Sequence, residues 1–279
     1  MGDVAVIFGM QRCGSNYFLS VCHRLDDLLV LGEMYHRGGP FPFQQNQKHD
    51  FDIKQRLGGI VRDMFTEFAQ EYLQDWDAGA TYSPENDAKI AAALAKFSHK
   101  APNRYFEALK QLAGTRRLLF KIFPEHLDLT QMLSILRDQR PKVILLLRNP
   151  LDSFISYKKL VQTQKPQDVD TSGLKIKFNK IDYFVYKSAL ANYFKSIQDF
   201  CDEEWLEVTT LHYEWLHDDA SEDKLDKVKG YMDRVFGVSL PLDRNRDSMK
   251  LFTKQDKSAS AVDKVTNPAE LPRGPQYLL

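Results

Sequence analysis

Near its start the chain reads VAVIFGMQRCGSNYF, an apolar run at residues 4–8 followed by a short loop carrying Arg12, Gly14, Ser15 and Asn16. A strand that stops at Gly9 and resumes as a helix near Ser15 turns several backbone N–H groups, and the positive end of the helix dipole, toward one point in space. An anion belongs there. Arg12 adds a full charge and a planar fork of donors, which suits phosphate or sulfate oxygens better than a carbonyl. The segment is not the nucleoside-triphosphatase loop, whose signature is G-x-x-x-x-G-K-[ST]. Here the glycines, Gly9 and Gly14, have the required spacing, but no lysine follows the second and the cation stands two places before it. Taken alone, the segment is equally a tight strand-to-helix turn with Arg12 in solvent, so a second site has to decide between the two readings.

Bulk composition narrows what that site can be. At 279 residues with 43% hydrophobic content the chain can bury a large core. Lys plus Arg equals Asp plus Glu at 38 each. There is therefore no global basic field to draw in nucleic acid, and an anion has to be held by local geometry. Cys13, Cys22 and Cys201 are too few and scattered for a disulfide framework, and no Cys/His/carboxylate set has metal-ligand spacing. No charged leader precedes the first strand, and no stretch approaches the roughly 18 apolar residues of a membrane span. The expectation is a soluble, cytoplasmic protein without a metal or membrane segment; its oligomeric state is not legible.

Short apolar runs recur at 4–8, 28–31, 118–123, 143–147 and 207–211, most of them followed by a helical pattern. Strands buried on both faces look like this, and their alternation with helices predicts an α/β fold, a mostly parallel central sheet flanked by helices. VILLL at 143–147 reads as the centre. Between the second and third strands, residues 50–113 carry helical periodicity through Ile53, Leu57, Ile60, Val61, Met64, Phe65, Phe68 and Tyr72, with a new helix start at Ser83 or Pro84. This predicts a helical insertion within a single domain spanning 1–279. A long helix near 178–204 shows the stripe Ile181, Phe184, Val185, Ser188, Tyr193, Ile197 and Phe200, read as core packing. Segments 161–177 and 254–276 are rich in polar residues, Pro and Gly, and read as loops.

The second site follows VILLL. In RNPLDSFISYKK, Asn149 can cap a helix, Pro150 suits its first position, and Arg148 stands at the strand's carboxyl end. In an open parallel sheet ligands bind beyond the carboxyl ends of the strands, so Arg148 and the Arg12 loop open on one crevice. Asp152, Ser156 and Lys159 share a helix face, with Ser156 about 9 Å beyond Pro150 at 1.5 Å per residue. An Arg148 side chain folded back along that face can share a second anion with the Ser156 hydroxyl.

Together, the loop after the first strand and the Arg-x7-Ser element after a later apolar strand resemble the sulfotransferases that use 3′-phosphoadenosine 5′-phosphosulfate (PAPS). FKIFPEHL at 120–127, YEWL at 213–216 and TKQDKSASAVDKVTNPAEL at 253–271 are similar to further segments of bacterial members, in the same order. The resemblance covers nearly the whole chain except the helical insertion. It implies a P-loop-type sulfotransferase fold in which Gln11, Arg12, Cys13, Gly14, Ser15 and Asn16 hold the 5′-phosphosulfate and Arg148 with Ser156 holds the 3′-phosphate. Tyr213 stands at the corresponding strand end, and Lys254 and Gln255 lie in a C-terminal cofactor-closing loop, about 246–279. Gln11, Asn16 and Trp215 depart from the residues usual in the family.

Sulfuryl transfer moves a charge-spread group between two oxygens in line, so positioning and charge stabilisation carry most of the catalysis. The resemblance implies that Arg12 stabilises the departing phosphate. Lys121 is a second candidate for that duty, or a strand-end lysine in solvent. Glu33, just past the second strand, is the favoured base for an acceptor hydroxyl over a carboxylate merely pairing Arg37 or Lys48. His126 is its rival. His36 and His49 are candidates for acceptor binding, and Phe41, Phe43, Tyr35 and Tyr82 for aromatic platforms under a sugar or other small molecule. Two readings compete with sulfuryl transfer: an ATP-dependent phosphotransferase, which wants a loop lysine and a strand-end Asp where this chain has Arg148, and a non-catalytic nucleotide-binding protein.

Overall fold

The computed structural model describes residues 2–43, 46–74, 76–164, 170–216, 224–242 and 260–274. The apolar runs become the strands β1 (Val4–Phe8), β2 (Leu28–Glu33), β3 (Arg117–Ile122), β4 (Lys142–Leu147) and β5 (Val208–His212). They pair in parallel in the order β2-β3-β1-β4-β5. Every residue of β1 is buried, whereas the edge strand β5 buries Leu211 alone. That contrast explains why β1 reads as a continuous apolar run and EVTTL does not. The first connection leaves β1 toward β2 on one side, and β4 leads to β5 on the other. The carboxyl ends of β1 and β4 therefore flank the point where the chain reverses direction, and the crevice expected there carries both arginine-bearing loops.

Helix α1 (Ser15–Cys22) follows β1, and α2 (Gln47–Met64), α3 (Thr66–Leu73), α4 (Pro84–Lys100) and α5 (Pro102–Ala113) fill the chain between β2 and β3. The single helical pattern read through Tyr72 is in fact two helices, since Phe65 at φ −132° breaks the backbone between α2 and α3. Ser83 caps α4, accepting the Asn86 N–H at 3.1 Å, with Pro84 at its first position. The remaining helices are α6 (Leu129–Gln139), α7 (Pro150–Thr163), α8 (Lys180–Glu203) and α9 (Lys224–Phe236). No described helix is long and apolar enough to cross a membrane.

The stripe read on α8 as core is corrected in its first half. Ile181 and Val185 are 75% and 66% exposed, Phe184 and Ser188 are exposed too, and Tyr193 is partly buried. The buried line runs instead through Tyr183, Leu190, Phe194, Ile197 and Cys201. At 100° per residue, Tyr183 and Leu190 lie nearly opposite Ile181 and Val185, so the helix carries apolar residues on two faces and only one meets the core.

The segment expected to be a loop at 161–177 begins later than read, because α7 runs to Thr163. Beyond it, Ile176 bridges Val265, and the Asn267 side chain brackets Phe178, accepting its N–H at 2.8 Å and donating to its carbonyl at 2.9 Å. These contacts strap residues 260–274 onto the segment at 176–178 that leads into α8; the rest of the expected closing loop, including Lys254 and Gln255, lies outside the described residues.

Phe120, on β3, is fully buried and packs its ring 5.5 Å from that of Phe106 and 6.1 Å from that of Tyr35. Phe120→Ala leaves a void between the sheet and the helices over it, and urea unfolding is expected to show a loss of about 3–5 kcal/mol.

Candidate active site

The anion loop forms as the sequence implies. Helix α1 starts at Ser15 behind Gly14, with no side-chain cap and no acidic residue in its first turn, so its leading N–H groups face the crevice. Two backbone features make the loop possible. Gly14 sits at φ 88°, and a Cβ there would overlap the Tyr213 ring. Arg12 itself is left-handed at φ 69°, a conformation that turns its carbonyl toward Arg148, whose Nη1 donates to it at 2.5 Å. Of the other loop residues, Gln11 is exposed and Cys13 is fully buried beneath the loop.

The structure gathers Arg12, Arg148, Ser156 and Tyr213, and Ser156 Oγ accepts from Arg12 Nε at 3.0 Å. The Arg148 guanidinium lies 4.5 Å from the centre of the Tyr213 ring. Asn149 caps α7 by accepting from Leu151 N–H at 2.9 Å, and its own N–H donates to Glu214 at 2.8 Å, which gives the strand-end Glu214 a structural role. Along the same face of α7, Asp152 pairs with Lys264 at 2.7 Å and the buried Lys159 donates to the Thr171 carbonyl at 2.8 Å. Burial, and then the neighbouring charge of Arg148, push the Arg12 guanidinium down. Two crowded guanidinium groups of this kind favour an anion between them.

Lys121 does not point to solvent. It is 2% exposed, and its Nζ donates to Ser15 Oγ at 3.1 Å and Asn16 Oδ1 at 2.5 Å, and pairs with Glu33 Oε1 at 3.1 Å. Phe123 and Phe43 flank the ammonium, with ring centres at 4.9 and 6.0 Å. Glu33 thus pairs neither with Arg37 nor with Lys48. It reaches Lys121 because β2 gains a residue against β3: Val30 faces Leu119, but Glu33 faces Lys121. Gly32, inside that bulge, lets the returning chain approach so closely that a Cβ would strike the Phe41 carbonyl.

The other Glu33 oxygen, Oε2, lies 3.3 Å from His126 Nε2. His126 Nδ1 accepts the Phe123 N–H at 3.1 Å, so the neutral ring carries its proton on Nε2, toward the carboxylate. Oriented this way, the Nε2 proton of His126 faces Glu33 Oε2. His36 stands edge-on to His126 and to Phe41, with ring centres at 5.7 and 4.8 Å, and its pKa is pushed down chiefly by burial. Phe41 is exposed beside it, but Tyr35 is fully buried core, Tyr82 donates to Gln47 on α2, and His49 serves the first turn of α2. The signals missed in the sequence are the bulge and the Phe43 and Phe123 sleeve around Lys121.

Burial pushes the Glu33 carboxyl up, but the hydrogen bond from His126 and the charge of Lys121 outweigh it and hold the pKa at about 2. Because that lies below the ordinary 4.5, the ionised pair stabilises the fold above pH 4.5, and the contribution fades as pH falls toward 2. Lys121→Met removes the cation and leaves the burial; carboxyl titration by carbon NMR is expected to show Glu33 rising toward or beyond its ordinary value.

Comparison with curated proteins finds no match to this chain. Among solved structures, the sulfotransferase domain of the Synechococcus PCC 7002 olefin synthase is similar at 17% identity and a TM-score of 0.41, covering 100% of this chain and 92% of that one. The sequence model of the sulfotransferase domain matches residues 3–267, and the chain belongs to that family.

Proposed function

We propose that this protein transfers a sulfuryl group from PAPS to a hydroxyl of a small-molecule or carbohydrate acceptor, with Glu33 as the base. The observation that carries the reading is the position of Lys121, which joins Ser15 and Asn16 of the anion loop to Glu33 through one ammonium. A group seated on the loop is then within a side chain's reach of a carboxylate that can take the acceptor's proton.

The residues fit such a donor. Among the described residues, Arg148 Nε is buried without a hydrogen-bond partner, and the first N–H groups of α1 have no side-chain cap. Both are donors that a doubly anionic nucleotide would satisfy. When bound, PAPS supplies a sulfuryl group attached to a phosphate that leaves. Arg12, Ser15 and Asn16 hold that end and stabilise the charge that builds there, with Lys121 beside them. Arg148 and Ser156 bind the nucleotide's other phosphate, and Tyr213 stacks behind Arg148. His126 keeps Glu33 ionised and turned toward the acceptor. An ATP-dependent phosphotransferase fits less well, since β4 ends in Arg148 where a metal-binding Asp is required.

Radiolabelled PAPS incubated with the protein and pooled sugars, glycolipid head groups, phenols and steroids is expected to yield a labelled acceptor. Glu33→Gln should keep its affinity for the product 3′-phosphoadenosine 5′-phosphate (PAP) in calorimetry and lose at least about 100-fold in turnover, the usual scale of general-base catalysis. Full turnover in that variant would end the assignment of the base. Arg148→Ala is expected to weaken PAP binding by roughly ten- to 100-fold, the scale of a lost charged hydrogen bond; unchanged affinity would remove Arg148 from the site.

A further inference from the structure

From the contacts around His126 we infer that His99, on α4, is a positioning residue that fixes His126 against Glu33. The inference rests on the reading of Glu33 as the base. His126 lies in the turn after β3, with no regular element to hold it, yet each of its other polar atoms is committed. Its N–H donates to the Phe123 carbonyl at 3.0 Å, and its Nδ1 accepts the Phe123 N–H at 3.1 Å. Its carbonyl lies 2.8 Å from His99 Nε2. A carbonyl only accepts, so His99 Nε2 carries a proton in this bond; Nδ1 meets the Ala95 carbonyl in the same way, and a ring that donates to both is the imidazolium. The sole polar atom of His126 left for the crevice is Nε2, 3.3 Å from Glu33 Oε2.

His99 is itself held from three directions. Its Nδ1 lies 2.8 Å from the Ala95 carbonyl and 3.2 Å from Ser98 Oγ, and its own carbonyl accepts from Gln131 Nε2 at 2.7 Å. Gln131 belongs to the capping box that starts α6, accepting the Asp128 N–H through Oε1 while its own N–H donates to Asp128 Oδ1. The turn from Phe123 to Asp128 is therefore tied to α4 at His126 and to α6 at Asp128, and both ties pass through His99 or its partner Gln131. Without the His99 bond the His126 carbonyl is freed, the turn loses its anchor on α4, and the ring can rotate or exchange its proton between nitrogens. Glu33 then loses a donor that both orients it and lowers its proton affinity.

Nitrogen-15 NMR of the imidazole rings tests this without donor or acceptor. In the wild-type protein His126 is expected as one species with its proton on Nε2, and the His99 Nε2 proton should exchange slowly and correlate with the His126 carbonyl. His99→Phe keeps a ring of similar size and removes the donor; the His126 signals should broaden or split between tautomers, the Glu33 carboxyl pKa should rise, and PAP affinity in calorimetry should stay within twofold. His99→Gln, which retains a donor, should restore the single His126 species. Unchanged His126 signals in His99→Phe overturn the inference, as does an unrestored pattern in His99→Gln. Should His99→Phe fail to fold, the wild-type correlation decides, and its absence overturns the inference. No label transfer to any acceptor, with these NMR results as expected, would count against the sulfuryl-transfer reading and leave the role of His99 standing.

Discussion

The site depends on the buried ammonium of Lys121. A lysine 2% exposed at the end of a core strand is tolerable only when its three donors are met and its charge is balanced. Ser15 and Asn16 come from the start of α1, and Glu33 comes from the end of β2. The one cation thus joins strand ends on either side of β3, where the parallel ladder alone would set only the spacing of the backbone. The β2 bulge follows from the same demand: in plain register with β3, the residue facing Lys121 would be Gly32, with no side chain to offer.

The crevice is electrostatically divided. On the β1–β4 side, Arg12, Arg148 and the bare N-terminus of α1 concentrate positive potential, and among the described residues no carboxylate pairs with Arg148. On the β3 side, Glu33 is a negative charge held by Lys121 and His126. A nucleotide bearing phosphates at two ends suits the first half, and a neutral hydroxyl suits the second. The family places sulfuryl transfer on this scaffold, and on the proposed reading the donor lies in the first half and the acceptor in the second.

Much of the fold was legible because sheet burial writes itself as composition. VAVIF and VILLL are strands enclosed on both faces, and QRCGSN and RNP are the turns that end them. Glu33, Arg12 and Arg148 were placed for the same reason, since Glu33 ends β2, Arg148 follows β4 and Arg12 lies in the loop after β1. What failed was everything set by side-chain direction. Which β2 residue meets Lys121 turned on a one-residue bulge, which has no composition signal. On α8 both an exposed and a buried stripe satisfy helical periodicity, and only the packing of α7 and the strap at 260–274 decides between Val185 and Tyr183. Arg12 and Ser156 are 144 residues apart, and their bond depends on the left-handed backbone at Arg12, which a sequence does not display. His99 lay inside an ordinary amphipathic helix, and its role comes from meeting the turn at His126, 27 residues on.

A carboxylate held at about 2 is a weak base, which looks unfavourable for proton abstraction until the other duty of Lys121 is considered. Its Nζ divides its hydrogen bonds between Glu33 and the loop residues Ser15 and Asn16. Any anion drawn to the loop competes with Glu33 for that ammonium, and each increment of contact that it takes raises the proton affinity of the carboxylate. On the reading of Glu33 as the base, the ion pair keeps it quiet while the loop has no claim on the lysine, and strengthens it when the loop does. His126, its ring held by the Phe123 N–H, faces Oε2 at 3.3 Å, so Oε1 is the oxygen on the Lys121 side. On the proposed reading the acceptor proton is then taken at Oε1, the oxygen paired with Lys121.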